Sequence, residues 1–406
     1  MKKILFVINT MGRAGAEKSL IALLKSIDYS RCDVSLLSII NRGELFDEVP
    51  PNVNIINKNP NTEPVLGFGG LVYIAINILK RFFWRGYFFK FIPYAFKNIF
   101  LQLKNGRFRP DKLFWKLLAD TTPADKQEYD LAIAFLEGAA TYYTSEKIHA
   151  MVKMTFVHVD YEKAGYDKTN DKAYYENMDY VCCISAAIKD VFCKIYPEYT
   201  NKVRIFPNIM LPEEILTAAE EKISGEFNDF KGLKILTVGR LHHQKGYDLA
   251  IPAFAELVKQ GYDNINWYVL GDGADKGKLQ KLIRKHGLEG RFILLGSRPN
   301  PYPYIKNCDI YVQPSRFEGF PLTLAEAFIL QKPCIVSDFA GARERLGENA
   351  LIFELSEENI SQAVKQLVDD DKLRQSYSAA TLENPMEFPN KTHVLYEIME
   401  GESWEN

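Results

Sequence analysis

Three things are scarce in this sequence: charge of one sign, paired cysteines and apolar runs of membrane-spanning length. Lys and Arg number 50 against 52 Asp and Glu, a formal net charge of −2. The chain as a whole therefore does not attract nucleic acid, and any basic surface has to be local. The six cysteines (Cys32, Cys182, Cys183, Cys193, Cys308 and Cys334) contain no C-x-x-C pair. That argues against a zinc knuckle or a thioredoxin-like site and makes the reducing cytoplasm the expected compartment. The start, Met1-Lys2-Lys3-Ile4-Leu5-Phe6-Val7-Ile8, is charged and then apolar like a secretion signal, but the apolar run stops at Asn9 and reads as a first strand. The apolar stretch 65–79 is glycine-rich and too short for a spanning helix, which needs about 20 residues.

What is present is a chain of 406 residues, 47% apolar and 25% charged, longer than one hydrophobic core usually serves. Residues 3–8 form a β-branched apolar run, 9–15 a loop, and 16–27 carry apolar residues at helical spacing. The same opening recurs at Leu233-Lys234-Ile235-Leu236-Thr237-Val238-Gly239, followed by a loop at 240–246 and a helical pattern at 247–259. Apolar runs at 267–270, 292–295, 310–312, 334–336 and 351–353 then alternate with helical stretches. Short apolar strands between helices belong to parallel sheets covered on both faces. The expected fold is α/β, with two doubly wound Rossmann-like domains at 1–207 and 208–385 and a C-terminal helix in 386–406 that crosses back to the first. The link begins at the turn Phe206-Pro207-Asn208 and continues through an acidic, helix-prone stretch at 213–226.

An insertion at about 65–117 interrupts the first domain. Ten aromatic residues fall between 82 and 100, interleaved with Lys80, Arg81, Arg85, Lys90 and Lys97. Lys104, Arg107, Arg109, Lys112 and Lys116 follow, against the single acid Asp111. Aromatic rings settle at a headgroup boundary, and each Lys or Arg near an anionic leaflet contributes roughly 1 kcal/mol. The segment is expected to lie on the inner face of the membrane, which makes the protein cytoplasmic and peripherally attached. The plainer reading is an aromatic helical subdomain packed on the sheet. Nucleic acid as a partner is set aside, since no nucleic-acid module accompanies the aromatics.

Four local patterns carry chemistry. The first is Glu318-Gly319-Phe320-Pro321-Leu322-Thr323-Leu324-Ala325-Glu326, after the strand Ile310-Tyr311-Val312 and the turn Gln313-Pro314-Ser315-Arg316-Phe317. Gly319 and Pro321 suit a loop whose amides face a ligand, and 322–330 reads as a helix starting there. A helix start carries unpaired N–H groups and about half a positive charge, which draws phosphate or sugar oxygens. Glu318 on the loop and Glu326 a little over one turn into the helix would address different parts of one extended ligand. The second, Val238-Gly239-Arg240-Leu241-His242-His243-Gln244-Lys245-Gly246, ends a strand in glycine and puts two cations, Arg240 and Lys245, on one loop. Fixed cations there would neutralise a departing diphosphate in place of a metal ion. The third, Met11-Gly12-Arg13-Ala14-Gly15-Ala16-Glu17, has glycines that permit close backbone approach at a helix start; a simple tight turn is the alternative. In the fourth, Phe156-Val157-His158-Val159-Asp160, a histidine ends a strand, and a buried structural histidine is the alternative.

These strings closely resemble family 4 of the retaining glycosyltransferases, whose EGFP-type loop carries a pair of glutamates with seven residues between them. The resemblance covers most of the chain and is weakest at 52–125. It implies a GT-B fold with two domains facing across a cleft. It also implies that Glu318 holds hydroxyls of the donor sugar, Glu326 the ribose hydroxyls, and Arg240 and Lys245 the diphosphate. His158 would hydrogen-bond the transferred sugar, and Ser297 and Arg298 would lie beside the base. Gly15, Gly239, Gly319, Phe320, Pro321, Leu322 and Thr323 complete the implied donor site. Arg13-Ala14 replaces part of the family's usual glycine run, so Gly15 alone carries that expectation. Ile184-Ser185, Pro207-Asn208, Leu295-Gly296-Ser297, Asn300-Pro301-Tyr302 and Ser337-Asp338 fall where the family places similar strings.

The activity implied is retaining, metal-independent transfer of a hexose or N-acetylhexosamine from a nucleotide-diphosphate sugar, with UDP taken as the commonest nucleotide in such families. No cofactor is expected. The basic aromatic segment suggests a lipid-linked saccharide acceptor, as in assembly of a bacterial surface polysaccharide. A GT-B sugar phosphorylase or epimerase is disfavoured by the combination of Arg/Lys loop and paired glutamates. A non-catalytic sugar-nucleotide-binding membrane scaffold is the rival of another class. Two lures are rejected. Gly271-Asp272-Gly273-Ala274-Asp275-Lys276-Gly277 has its last glycine one place late for a dinucleotide fingerprint and follows a strand that is not the first of its domain. Asp369-Asp370-Asp371 contains the Asp-x-Asp of metal-dependent glycosyltransferases but reads as a solvated helix end.

Overall fold

The computed structural model describes residues 1–65, 68–104, 110–162, 164, 166, 168–319, 321–339, 342–383, 386 and 388–404. Phe320, one of the expected donor-site residues, lies outside them. The chain divides into two compact units: unit 1 is Met1–Met210 with Phe388–Asn406, and unit 2 is Leu211–Glu387.

Unit 1 is built on seven strands: β1 (Lys2–Ile8), β2 (Cys32–Ser38), β3 (Val53–Ile55), β4 (Glu128–Ala134), β5 (His149–Val157), β6 (Tyr180–Cys183) and β7 (Val203–Ile205). Their order is β3-β2-β1-β4-β5-β6-β7, and every neighbouring pair is parallel. A central parallel strand is covered on both faces, so it is apolar without alternation; all of Ile4-Leu5-Phe6-Val7-Ile8 is buried. The expectation names β1 and the end of β5 in this half. The structure adds β2, β3, β4, β6 and β7; in β2 and β4 the sequences CDVSLLS and EYDLAIA mix polar residues into the apolar run. Buried Ser35 and Ser38 interrupt the pattern of β2 without exposing it.

Unit 2 has β8 (Leu233–Val238), β9 (Ile265–Leu270), β10 (Phe292–Gly296), β11 (Ile310–Gln313), β12 (Cys334–Ser337) and β13 (Leu351–Phe353). They run in the order β10-β9-β8-β11-β12-β13, again all parallel. Trp267, Phe254 and Phe292 fill the core under one face. Buried Thr237 stitches the middle strands together: its hydroxyl receives the Trp267 indole N–H at 3.1 Å and donates to the Val312 carbonyl at 2.7 Å.

In each sheet the strand order reverses once, between β1 and β4 and between β8 and β11. The loops leaving the carboxyl ends of such a pair diverge to opposite faces and open a crevice, the usual ligand position of doubly wound sheets. In unit 1 these loops carry Asn9 to Gly15 and Phe135 to Gly138; in unit 2 they carry Gly239 to Gly246 and Pro314 to Pro321.

The inserted segment is helical. After α1 (Gly15–Lys25), the helices α2 (Phe68–Phe83) and α3 (Phe88–Lys104) flank a tight turn at Trp84–Gly86, and α4 (Pro110–Thr121) returns the chain to the sheet. Phe91, Leu113 and Leu117 form a small core of their own between α3 and α4. At the other end of the chain the helix Thr392–Glu400 packs in unit 1. The Asp28 N–H donates to Tyr396 Oη at 2.7 Å, Arg31 lies 4.1 Å over the same ring, and Arg204 Nε donates to the Trp404 carbonyl at 2.6 Å. The helix-prone stretch 213–226 is not one helix. Pro212–Ala218 ends where Asn300 Nδ2 donates to the Ala218 carbonyl at 2.7 Å, and a short second turn, Glu226–Asp229, starts after Gly225 at φ +94°.

Candidate active site

The crevice of unit 2 is assembled from both loops at the β8/β11 switch point. Gly239 directly follows β8 and leaves little room for a side chain: a Cβ there would stand 3.0 Å from Lys245 Cε and 3.3 Å from Tyr247 Oη. The stem of Lys245 is thus folded back along the loop. Gly246 has φ +72°, and a Cβ at that position would meet the Pro314 carbonyl oxygen at 1.9 Å, so the two loops are pressed together there.

That contact brings Lys245 onto Glu318, 73 residues away, with Nζ donating to Oε1 at 2.7 Å. Their side chains are 11% and 8% exposed. The same Oε1 accepts from Ser315 Oγ at 2.6 Å and from Gln313 Nε2 at 3.1 Å, whereas Oε2 receives Gln244 Nε2 at 3.4 Å. Behind the carboxylate, Tyr311 Oη donates to Gln313 Oε1 at 3.1 Å and Gln313 Nε2 donates to Ser315 Oγ at 2.6 Å. The Ser315 carbonyl is held in turn by Ser337 Oγ at 2.6 Å. Arg316 locks the loops from outside, bidentate to Asp248 at 2.7 and 2.8 Å. Tyr247, fully buried, has its hydroxyl pushed up above the ordinary phenol range, first by burial and then by the Glu318 charge. Its hydroxyl donates to the Gly239 carbonyl at 3.0 Å.

Arg240 does not join this network. It is exposed, and its guanidinium makes no hydrogen bond or ion pair among the described residues. Gly319 follows Glu318, and Pro321 precedes the helix Leu322–Ile329, whose first turn holds Leu322 and Thr323. Glu326, 1% exposed, sits in the second turn and accepts from Tyr302 Oη at 3.3 Å. Ser297 and Arg298 are exposed at the carboxyl end of β10, in the loop that leads to Tyr302.

In unit 1 Gly15 is the exposed first residue of α1. His158, buried, directly follows β5, and its backbone N–H donates to Glu137 Oε2 at 3.0 Å. Asn9 spans the β1/β4 crevice, donating to the Glu137 carbonyl at 3.0 Å and accepting from the Ala140 N–H at 2.8 Å. Burial drives the His158 pKa down to about 4, against a smaller upward pull from its hydrogen bond to the Phe135 backbone. The imidazole is therefore neutral at physiological pH.

Residues 219–383 match the family described as glycosyl transferases group 1. The matched residues span nearly all of unit 2. The likeness extends to both units: the chain is 27% identical over 383 residues, 93% of its length and 93% of the relative's, to the N-acetylgalactosamine-N,N'-diacetylbacillosaminyl-diphospho-undecaprenol 4-alpha-N-acetylgalactosaminyltransferase of Campylobacter jejuni. A glycosyltransferase of Methanocaldococcus jannaschii is 32% identical over 178 residues, 43% of this chain and 44% of that protein. Among solved structures, Anabaena HepE in complex with UDP and glucose is similar with a TM-score of 0.66 at 16% identity, over 98% of this chain and 100% of that one. At that identity the likeness is one of fold, two parallel-sheet Rossmann-like units of the GT-B kind.

Within unit 2 the structure gathers Gly239, Lys245 and Glu318 at one point and puts Glu326 with Tyr302 at another. Gln313, Ser315, Gln244 and Tyr302 stand in the strings quoted above, but sequence reasoning gave them no role in the site. A signal for Gln313 existed: it is a polar residue in an otherwise apolar strand, two places from Tyr311 and so on the same face. Its buried amide had to find partners, and the carboxylate of Glu318 is one.

Proposed function

We propose that this chain is a retaining glycosyltransferase that moves a hexose or N-acetylhexosamine from a nucleotide-diphosphate sugar, with UDP as the nucleotide, to a lipid-linked saccharide acceptor. The reading rests on one observation above the others: Lys245 and Glu318 meet at the switch-point crevice of a group 1 glycosyltransferase domain. In this reading Lys245, the exposed Arg240 and the first-turn amides of Leu322–Ile329 receive the diphosphate. Glu318 keeps Oε1 for its three donors within the protein and turns Oε2 to hydroxyls of the sugar. Glu326, with Tyr302 behind it, takes the ribose hydroxyls, and Ser297 and Arg298 flank the base. Gly239, Gly319 and Pro321 shape the loops, as would Phe320, which lies outside the described residues.

The acceptor hydroxyl attacks the anomeric carbon on the face from which the diphosphate leaves. A carbon–oxygen bond to the acceptor forms as the bond to the phosphate oxygen breaks, and the hydroxyl proton passes to that phosphate oxygen. Charge on the leaving group grows along this path, so cations already in place stabilise the transition state more than the ground state. Two side-chain cations on one loop supply this without a metal ion. We allot the acceptor to unit 1; of that unit's residues, Gly15 is kept as a donor contact and His158 acts as a neutral hydrogen-bonding group toward the transferred sugar. The lipid-linked acceptor is favoured by the relative from Campylobacter, whose name specifies a diphospho-undecaprenol-linked saccharide.

The test is transfer from a panel of nucleotide sugars, read as nucleotide-diphosphate release, with the anomeric configuration of the product determined by NMR. Lys245→Ala is expected to lower kcat by roughly 100-fold or more with donor still bound, and turnover is expected to persist in excess EDTA. Unchanged kcat in Lys245→Ala with donor affinity intact, or an inverted product, would overturn the assignment.

A further inference from the structure

The outward faces of α2 and α3 are apolar although their inward faces are already packed. On α2 the exposed side chains Val72, Ile76, Leu79 and Phe83 follow one another at intervals of three and four residues. On α3, Phe89, Ile92, Phe96, Phe100 and Leu103 do the same. At 100° per residue each set stays within a stripe about 80° wide. Trp84, also exposed, stands at the turn between the two stripes. Ten of the fourteen exposed large apolar side chains among the described residues lie in this one hairpin. No helix among the described residues is long and apolar enough to cross a membrane.

The charge of the segment says what covers these stripes. Between Glu63 and Asp111 the sequence has no acidic residue and eight basic ones, in a chain whose formal net charge is −2. Lys80, Lys90 and Lys97 are exposed alongside the stripes. Arg81 is spent inside, donating to the Leu118 carbonyl at 3.0 Å, to Thr122 Oγ1 at 2.9 Å and to the Ile39 carbonyl at 2.8 Å. A second copy of the chain would bring two acid-free basic surfaces together, and like charges across an interface repel. An anionic lipid leaflet offers acyl chains to the stripes and phosphates to the lysines.

The hairpin is also rooted at a particular place. Arg81 reaches the carbonyl just beyond the carboxyl end of β2, Tyr73 Oη donates to the Asn41 carbonyl at 3.5 Å, and Arg42 lies 4.7 Å over the Tyr73 ring. The Arg42 carbonyl in turn accepts from the Met11 N–H at 3.0 Å. The hairpin and the loop before Gly15 are thus fastened to one another at the same end of the unit 1 sheet.

We infer that the α2–α3 hairpin is an interfacial anchor: it buries both stripes in one anionic leaflet and holds the carboxyl ends of the unit 1 strands against the headgroups. Where a lipid-linked acceptor is involved, this rests on the function proposed above; the anchor itself does not. The experiment is flotation of the full chain with phosphatidylcholine vesicles and with vesicles containing phosphatidylglycerol. The wild type is expected to partition at least about tenfold more strongly to the anionic vesicles, with the difference shrinking at high salt. The triple variant Phe89→Ser, Phe96→Ser, Phe100→Ser should lose at least about tenfold of that partition while keeping its thermal midpoint, since these side chains are exposed. Retained partition in the variant, or a wild type that is an oligomer in solution and is split by the variant, overturns the anchor. Transfer to a membrane-embedded acceptor and to a water-soluble short-chain one is compared in the same variant. Lost partition with transfer to both acceptors unaffected supports the anchor and counts against the lipid-linked acceptor. Lost partition with loss of transfer to the embedded acceptor alone supports both.

Discussion

Lys245 and Glu318 hold each other at 2.7 Å with little of either side chain in water. Removing one member of such a pair strands the other charge, which costs about 3 kcal/mol, whereas removing both leaves no charge to desolvate. Lys245→Met and Glu318→Gln are each expected to lower unfolding stability by about that amount, and the double variant by clearly less than the sum. A double-mutant cycle in urea measures the coupling; additive losses would show that the pair does not act as a unit. His158 makes a second residue-scale prediction, on pH. Its pKa is about 4 in the folded chain against 6.5 for the free imidazole. Above pH 6.5 both states are neutral and the group adds no pH dependence. Below it only the unfolded chain takes up the proton, so stability falls as pH drops from 6.5 toward 4, by about 2 kcal/mol at pH 5. His158→Gln should flatten that part of the profile, seen by comparing urea midpoints at pH 7 and pH 5.

At the scale of elements, the site depends on two loops being wedged together rather than on any one helix. Gly246 is the wedge: it combines φ +72° with a backbone approach that leaves no room for a Cβ. Gly246→Ala has to strain the backbone and also push the Pro314 loop away. It is expected to cost at least about 2 kcal/mol and to lower turnover by separating Lys245 from Glu318. Gly261→Ala, at φ +93° with nothing within 4 Å of the added methyl, serves as the control: its backbone is strained in the same way, but no loop is displaced. Equal loss of activity in both variants would show that strain and not displacement is responsible. The row Tyr311, Gln313, Ser315, Glu318 makes the same point. Each group hydrogen-bonds the next along the row, so the end of β11 helps to orient the carboxylate.

For the molecule as a whole, a ligand bound by the folded state alone raises stability by mass action, about 2.7 kcal/mol at a hundred times its dissociation constant. UDP is expected to raise the thermal midpoint by a few degrees, and Glu326→Ala to abolish most of that shift. The shift should survive EDTA. A midpoint indifferent to UDP but raised by another nucleoside diphosphate would change the donor and keep the site; indifference to all of them would remove the site.

The strings of the candidate site were legible because each is short and local: Gly239 to Gly246 and Glu318 to Glu326 are contiguous, and residue types at fixed spacing imply a strand end, a loop and a helix start without knowledge of the fold. The strand–helix alternation that predicts parallel sheets is legible for the same reason, and in unit 2 all six strands were visible as apolar runs. In unit 1 β2 and β4 were not, because serine and aspartate break their apolar runs and the burial of a polar residue such as Ser35 depends on partners far along the chain. Tertiary structure alone decided strand order, and with it the crevice. It closed the 73-residue gap between Lys245 and Glu318 and recruited Gln313 and Tyr302, whose roles lie in contacts and not in spacing. It also turned the outer faces of the aromatic helices to solvent. Periodicity shows that a helix has two faces, but only packing against neighbours determines which one is left uncovered.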